Sequence, residues 1–146
     1  MQKFESYKDL AFSPKQLFDL VTDIEQYPNF LPWCINSRDV MKTKNKVVAD
    51  LVIRYKAFTE QYRSEIIHGH NKDGSQYIKV KAISGPFDYL INDWCFSKKK
   101  TGCHVSFLID FKFNSFIFNK VIDVFFEEKV RTMLTAFEDR AEEIYG

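Results

Sequence analysis

The hydrophobic periodicity of the chain changes at Asn114 and Ser115, and this change limits the possible folds more than any other feature of the sequence. Between residues 36 and 113, apolar residues alternate with polar ones, which is typical of half-buried antiparallel strands. After Ser115 they recur at every third or fourth position, which predicts one long amphipathic helix. This order indicates an α+β domain in which a long C-terminal helix packs against one face of an antiparallel sheet.

Turn signals divide the alternating region into strands. The segments "NKDG" at 71–74 and "KKKTG" at 98–102 are typical of hairpin turns, because Gly74 and Gly102 can adopt positive φ. A third reversal is indicated by "SGP" at 84–86. We therefore predict a meander of about six strands. The apolar face of its last strand consists of Cys103, Val105, Phe107, Ile109, Phe111 and Phe113.

The segment before the meander is predicted to contain an edge strand at residues 2–11 and a short helix at about 14–25. Ser13 is a favourable N-cap, and Gln16 completes a capping box with it. Tyr27 precedes Pro28 and disfavours continuation of the helix. The apolar stripe of the short helix consists of Leu17, Val21 and Ile24. The stripe of the C-terminal helix consists of Ile122, Phe126, Val130, Met133, Phe137, Ala141 and Ile144.

Length, charge and cysteine content limit the kind of protein that this chain can be. A chain of 146 residues fits one domain, 1–146, that can bury a core without disulfides or metal. Lys and Arg total 21 against 20 Asp and Glu, so the net charge of +1 gives no overall cationic field, and we expect no DNA binding. Three cysteines without C-x-x-C spacing indicate free thiols in a reducing compartment. The first residues carry neither a secretory nor a transit pattern.

Residues that could support catalysis or metal binding are few. His68 and His70 form an H-x-H pair, but a metal site would need a third ligand. Cys103 and His104 are adjacent on a predicted strand, so their side chains point to opposite faces and cannot act as a nucleophile and its base. The acidic candidates for acid–base chemistry are Glu60 and Asp93. We expect no catalytic residue and no metal.

The chain has more aromatic residues, 16%, than a small core requires. The segment "DIEQYPNFLPWC" at 23–34 places large apolar side chains on a connection after the short helix. The segment "FIFNKVIDVFF" at 116–126 has apolar residues around most of a helix circumference. It either clamps the start of the helix between sheet and loop, or forms a patch that closes a lipid cavity or dips into a membrane interface.

Several strings, in order over nearly the whole chain, resemble one known family. They are "VTDIEQYPNFLPWC", "GPFDYLINDWCF" and "FKFNS", followed by "VFFEEKVRTMLTAFEDRAEEIYG". The resemblance is to the Coq10/RatA family of START-like proteins, which are also described as helix-grip or polyketide-cyclase-like. It implies a curved antiparallel sheet of six to seven strands wrapped around the C-terminal helix, short helices after the first strand, and a hydrophobic cavity between sheet and helix.

The resemblance also implies a choice of functions. Coq10-branch members bind ubiquinone (coenzyme Q) or related polyisoprenoid lipids and support respiration without a known reaction. RatA-branch members are described as toxins that bind the large ribosomal subunit and block subunit association. The matched strings are common to both branches. We expect a non-enzymatic carrier or chaperone of a prenyl lipid, above all ubiquinone. The alternatives are a ribosome-associated toxin and, third, an aromatase/cyclase-like or hydrolytic enzyme.

A location and a ligand site follow from the same resemblance. We expect the bacterial cytoplasm, with peripheral contact at the inner membrane as an option, and no cofactor besides the bound lipid. The expected cavity walls are Phe30, Leu31, Trp33, Val105, Phe107, Ile109, Phe111, Phe126, Val130, Met133 and Phe137. The expected polar partners of a lipid head group are Arg54, Tyr62, Tyr89 and Asn92, chosen for their positions on central strands. Phe30 and Trp33 are expected to act as a lid.

Overall fold

The computed structural model describes residues 2–146, and within them one curved antiparallel sheet of seven strands packs against a long C-terminal helix. The elements in chain order are β1 (Gln2–Leu10), α1 (Pro14–Thr22), a 3-10 helix (Ile24–Asn29), β2 (Cys34–Lys42), β3 (Lys46–Tyr55), β4 (Phe58–His70), β5 (Gln76–Ser84), β6 (Phe87–Lys99), β7 (Gly102–Phe113) and α2 (Phe116–Tyr145). The strand order across the sheet is β1-β7-β6-β5-β4-β3-β2. The predicted edge strand is therefore confirmed, with β7 as its partner.

The start of α1 forms as predicted, and its end lies within a few residues of the predicted position at about 25. The Gln16 N–H donates to Ser13 Oγ at 3.1 Å, and the Ser13 N–H donates to Gln16 Oε1 at 3.0 Å, which is the capping box. The helix ends at Thr22, and the chain continues into a 3-10 helix that contains Pro28. The α-helix does not continue through Pro28, as predicted, and the 3-10 helix accommodates Pro28 because so short a helix loses only one hydrogen bond to the missing N–H.

One face of α2 packs on the sheet along its length. Its buried residues are Phe126, Val130, Phe137 and Ala141. The prediction that the stripe extends to Ile144 is wrong, since 48% of that side chain is exposed and Tyr145 packs on the core in its place. An apolar stripe drifts around a straight helix of this length, so the inward position moves by one residue in the last turn. Within residues 2–146, neither helix is long and apolar enough to span a bilayer.

The antiparallel meander gives the domain two distinct ends. The turns β2–β3, β4–β5 and β6–β7 lie at one end, together with α1 and the last turns of α2, which we call the α1 end. The Phe18 ring of α1 meets the His68 ring of β4 there, with centroids 5.3 Å apart. The turns β3–β4 and β5–β6 and the start of α2 lie at the opposite end, which we call the open end.

Candidate functional site: two adjoining apolar cavities

A cavity of about 200 Å³ lies at the open end, between the sheet and the first half of α2, and we call it the outer cavity. Side chains from β3, β4, β6, β7 and α2 contribute to its walls. They are Trp33, Ile53, Arg54, Tyr55, Phe58, Glu60, Tyr62, Phe87, Leu90, Ile109, Phe111, Phe113, Phe118, Val121, Ile122, Phe126, Lys129, Val130 and Met133. Its walls are thus mostly aromatic and aliphatic.

Aromatic rings in contact with one another build the walls of the outer cavity. Phe111 and Phe126 meet edge to face at 5.2 Å, which joins β7 to α2. Phe113 meets Phe118 in the same way at 5.5 Å and stacks on Phe87 at 4.8 Å. Such edge-to-face and stacked pairs are favourable beyond the area they bury. These rings therefore stabilise one another along the wall and leave the space between sheet and helix open.

Charged side chains mark the side on which the outer cavity meets solvent. Arg54 is exposed, and its Nε donates to Thr59 Oγ1 at 3.4 Å. The Lys129 Nζ lies 5.9 Å from the centre of the Trp33 ring and 5.4 Å from that of Tyr55. A cation over an aromatic face is attracted by the ring quadrupole. The outer cavity therefore combines aromatic surface with two cations and the carboxylate of Glu60.

A second cavity of about 140 Å³ adjoins the first and lies deeper in the domain; we call it the inner cavity. The two share the walls Trp33, Ile53, Tyr62, Leu90, Ile109 and Met133. The inner cavity is otherwise lined by Ile24, Tyr27, Leu31, Cys34, Leu51, Ser64, Ile66, Val80, Asn92, Trp94 and Phe137. Among residues 2–146 no charged side chain lines it. The inner cavity therefore suits a neutral occupant.

Several polar side chains line this apolar space, and the Tyr27 hydroxyl among them donates to the Val21 carbonyl. The Asn92 Nδ2 donates to the Leu108 carbonyl, and its Oδ1 accepts from Trp94 Nε1, both at 2.9 Å. The Ser64 Oγ is buried and has no hydrogen-bond partner among residues 2–146. Burial raises the pKa of Tyr62, and it raises the pKa of the Cys34 thiol to about 11. Both groups are therefore neutral at physiological pH.

The loop between the 3-10 helix and β2 forms part of both cavities. Trp33 lines the two cavities and Leu31 lines the inner one. The Arg54 N–H donates to the Trp33 carbonyl at 2.8 Å, which fixes the loop against β3. Phe30 lies outside both cavities, where its ring meets that of Phe137 at 5.3 Å and lies 5.4 Å from the Arg140 guanidinium. The expectation that Phe30 faces the cavity is therefore wrong, because its ring is held in packed core.

Most of the expected site residues lie in one of the two cavities. Those in the outer cavity are Trp33, Arg54, Tyr62, Ile109, Phe111, Phe126, Val130 and Met133. Leu31, Asn92 and Phe137 line the inner cavity. Sequence reasoning missed Ser64, Phe87, Leu90, Phe113 and Phe118. Strand alternation could have identified Ser64, since Tyr62 and Ile66 on either side of it face inward.

Tyr89, Val105 and Phe107 are further corrections. The Tyr89 hydroxyl donates to Asp110 Oδ1 at 3.0 Å on the opposite face of the sheet. A β-bulge between Phe87 and Tyr89 shifts the alternation, so that Leu90 faces the cavities instead. Val105 and Phe107 line neither cavity; they pack with α1 around a space of about 40 Å³ at the α1 end. They share a face with Ile109, but they lie earlier in the strand, towards the α1 end.

The residues considered for chemistry are dispersed. Glu60 lines the outer cavity, whereas Asp93 lies on the other face of the sheet beside Lys79, and burial raises its pKa. The two carboxylates therefore cannot act as an acid–base pair. The His104 Nδ1 lies 2.7 Å from Asp9 Oδ1 at the α1 end. Among residues 2–146, no three His, Cys, Asp or Glu side chains lie close enough together to hold a metal ion.

Comparisons with known proteins agree with this architecture. The family model for polyketide cyclase / dehydrase and lipid transport matches residues 10–138. The chain is 42% identical over 144 residues to the ribosome association toxin RatA of Rickettsia prowazekii, covering 99% of each protein. It is 32% identical over 151 residues to the coenzyme Q-binding protein COQ10 homolog B, mitochondrial, of Xenopus laevis, covering 99% of this chain and 59% of that protein.

A solved structure shows the same fold at low sequence identity. The STAR-related lipid transfer protein of Xanthomonas axonopodis superposes with a TM-score of 0.83 at 12% identity, over 96% of this chain and 85% of that one. The seven-stranded sheet, the long C-terminal helix and the space between them are thus those of the START-like fold. The chain belongs to the polyketide cyclase / dehydrase and lipid transport family, as a START-like relative of the RatA and COQ10 proteins.

Proposed function

We propose that the chain binds a neutral prenyl lipid, with ubiquinone as the leading candidate, in the outer and inner cavities. The observation that carries this proposal is the pair of adjoining apolar cavities at the open end. The relative named as a coenzyme Q-binding protein supports it. The dispersed positions of Glu60 and Asp93 favour binding without catalysis. The protein then acts as a carrier or chaperone for the lipid.

The physics of transfer suits such a role. Each buried CH₂ group is worth about 0.8 kcal/mol relative to water, so a prenyl tail of several units does not leave a bilayer for water. A cavity lined by aromatic and aliphatic side chains offers the tail a second dry environment. The difference in free energy between bilayer and cavity is therefore small, and loading and release need no energy source.

A bilayer contact at the open end would bring the cavity to its ligand. On the outer side of the start of α2, the exposed fractions are 73% for Phe116, 65% for Ile117 and 74% for Val124. The Lys120 Nζ lies 4.7 Å from the centre of the Phe116 ring. Exposed aromatic and aliphatic groups beside lysine match an interface of acyl chains and anionic phosphates. Asp123, exposed on the same helix, would confine such a contact to shallow insertion.

Copurified lipid tests the proposed function. The full chain is purified from bacteria lysed with their membranes present, and its organic extract is analysed by mass spectrometry. We expect prenyl quinone in the wild-type extract, and at least tenfold less with Ile109→Phe, which places a ring in the shared wall of the two cavities. Absence of prenyl lipid from repeated wild-type preparations would contradict the proposal.

A second candidate function is association with the ribosome. It is favoured by the full-length relative named as a ribosome association toxin and by the lysines on the hairpin turns of the α1 end. Lysines are exposed on all three hairpin turns there, and those without an ion pair among residues 2–146 are Lys42, Lys44, Lys72, Lys98 and Lys100. Clustered lysines bind phosphate backbones through release of counterions. This surface is remote from the cavities, so the two functions are separable.

Sucrose-gradient profiles test this second function. Overexpression of the wild-type chain should increase free subunits at the expense of assembled ribosomes. A variant in which Lys42, Lys44, Lys98 and Lys100 are all replaced by glutamate should lose that effect and keep its copurified lipid. Unchanged profiles with the wild-type chain would remove ribosome association from consideration.

A further inference from the structure

An unsatisfied hydroxyl faces the inner cavity. The side chain of Ser64 is 1% exposed, and its Oγ has no hydrogen-bond partner among residues 2–146. Its neighbours on the same face of β4, Tyr62 and Ile66, line the same cavity. An unpaired buried hydroxyl is unfavourable for folding. A hydrocarbon tail in the inner cavity would leave the Ser64 hydroxyl without a hydrogen bond, whereas a ligand with an acceptor oxygen would accept one from it.

A second hydroxyl accompanies it. Tyr62 lies two residues before Ser64 and lines both cavities, and its hydroxyl makes no hydrogen bond to another protein group among residues 2–146 that the structure describes. Burial raises the pKa of Tyr62; the Ser64 hydroxyl lies close enough to oppose that rise in part, although no hydrogen bond joins the two hydroxyls in the structure. Tyr62 is therefore a neutral phenol that can donate a hydrogen bond. Two hydroxyls on one strand face thus line a space in which, within residues 2–146, no charged side chain lies.

The polar atoms of Asn92 are already engaged. Its Nδ2 and Oδ1 bond to the Leu108 carbonyl and to Trp94 Nε1. Asn92 therefore stabilises the cavity wall. We replace it by Ser64 among the expected partners of the head group. The lining within residues 2–146 also contains no charge, whereas Arg54, Glu60 and Lys129 lie in the outer cavity. A phosphate or carboxylate head group would lose its hydration in the inner cavity without a countercharge.

We propose that the inner cavity is the subsite for the head group of the lipid, which enters ring first and accepts hydrogen bonds from Ser64 and Tyr62. The tail then extends through the outer cavity towards Arg54 and Lys129. The ligand class is a neutral ring with carbonyl oxygens, such as a quinone. A lipid with a charged head group would take the reverse orientation, with its head at the mouth. This inference rests on the proposed lipid-binding function and deepens it.

Two matched probes test the subsite in the full-length protein. Ubiquinone with one isoprene unit carries the carbonyl oxygens, and prenylbenzene lacks them. Isothermal titration calorimetry measures both with the wild type, Ser64→Ala, Tyr62→Phe and the control Ser106→Ala, which removes a hydroxyl from the outer face of β7. We expect each of the first two variants to weaken quinone binding about tenfold, which equals about 1.4 kcal/mol, and to leave prenylbenzene binding unchanged.

The possible outcomes distinguish a failure of the proposed lipid binding from a failure of the head-group subsite. A wild-type protein that binds neither probe would overturn the proposed function itself. Equal binding of both probes, with Ser64→Ala unchanged, would leave lipid binding standing and overturn the head-group subsite. Thermal unfolding serves as the folding control, because Ser64→Ala should leave the melting temperature unchanged or raise it as an unsatisfied group is removed.

Discussion

The α1 end and the open end are built from similar residues, but they pack differently. At the α1 end, Phe96 is 1% exposed, Cys103 and Ala141 are fully buried, and the space between α1 and the sheet measures about 40 Å³. At the open end, rings of the same kind surround about 200 Å³ and Phe116 lies largely in solvent. Close packing supplies stability, whereas a lined space supplies binding. We therefore assign stability to the α1 end and ligand retention to the open end.

Truncating one phenylalanine at each end should give the largest difference. Phe96→Ala should lower the free energy of unfolding by about 3–5 kcal/mol, because it leaves a cavity in close-packed core. Phe118→Ala, at a half-buried ring of the outer cavity, should cost only about 1–2 kcal/mol. Urea unfolding followed by circular dichroism measures both. Equal losses would break the distinction between the two ends.

Enlarging a residue at each end should change stability by different amounts along one strand. Val105→Phe overpacks the α1 end and should lower stability by about 1–3 kcal/mol. Ile109→Phe, four residues later on the same face, fills space that the fold leaves open and should change stability by less than about 1 kcal/mol. Its copurified lipid should nevertheless fall at least tenfold. A stable Ile109→Phe protein that keeps its lipid would contradict our account of the cavities.

The loop before β2 allows a finer comparison between neighbouring side chains. Trp33→Ser should strongly reduce the amount of copurified lipid and lower the melting temperature only slightly, because Trp33 lines both cavities. Phe30→Ser should do the reverse, because its ring packs against Tyr27 and Phe137. Paired measurements of copurified lipid and thermal unfolding test this. If both variants lose both properties equally, the loop is plain core and not a wall of the binding site.

Both ends of the domain should share a dependence of stability on alkaline pH. Burial raises the pKa of Cys34, in the inner cavity, and of Cys103, at the α1 end, to about 11. An unfolded thiol ionises at about 8.5, so above that pH the folded state holds more protons and stability falls as pH rises towards 11. Below pH ~8 the thiols contribute no slope. Unfolding at roughly pH 7, 9 and 10.5, which lie below and above the unfolded pKa, measures this dependence, and Cys34→Ala and Cys103→Ala should each flatten the profile.

Much of the fold was predictable because it depends on local chemistry. The Ser13 cap, the positive-φ glycines Gly74 and Gly102, and the change to helical periodicity after Ser115 all act within a few residues. The prediction of about six meander strands is confirmed by β2 to β7. The end of α1 was less predictable, since the 3-10 helix depends on tertiary contacts such as the Ser37 hydroxyl donating to the Ile24 carbonyl.

The sequence predicted the face of the sheet on which a site residue lies, but not whether that residue borders a cavity. Alternation correctly placed Val105, Phe107, Ile109 and Phe111 on the face that carries α2, but the position along the strand decides which of them border a cavity. The bulge beside Tyr89 reversed its orientation, and no sequence signal indicated it. Ser64 was overlooked because a small polar residue between larger ones gives no hydrophobic signal, although its unsatisfied hydroxyl is now the most specific feature of the inner cavity.

A crystal structure of the full chain with decylubiquinone tests the central claim most directly. We predict ligand density in both cavities, with the quinone ring in the inner cavity within hydrogen-bond distance of Ser64 Oγ and the tail leading towards Lys129. A ligand bound with its ring at the mouth would keep the cavities as the binding site and reverse the proposed orientation. Ligand density only on the outer surface, with both cavities empty, would contradict the claim that this domain binds lipid between its sheet and its C-terminal helix.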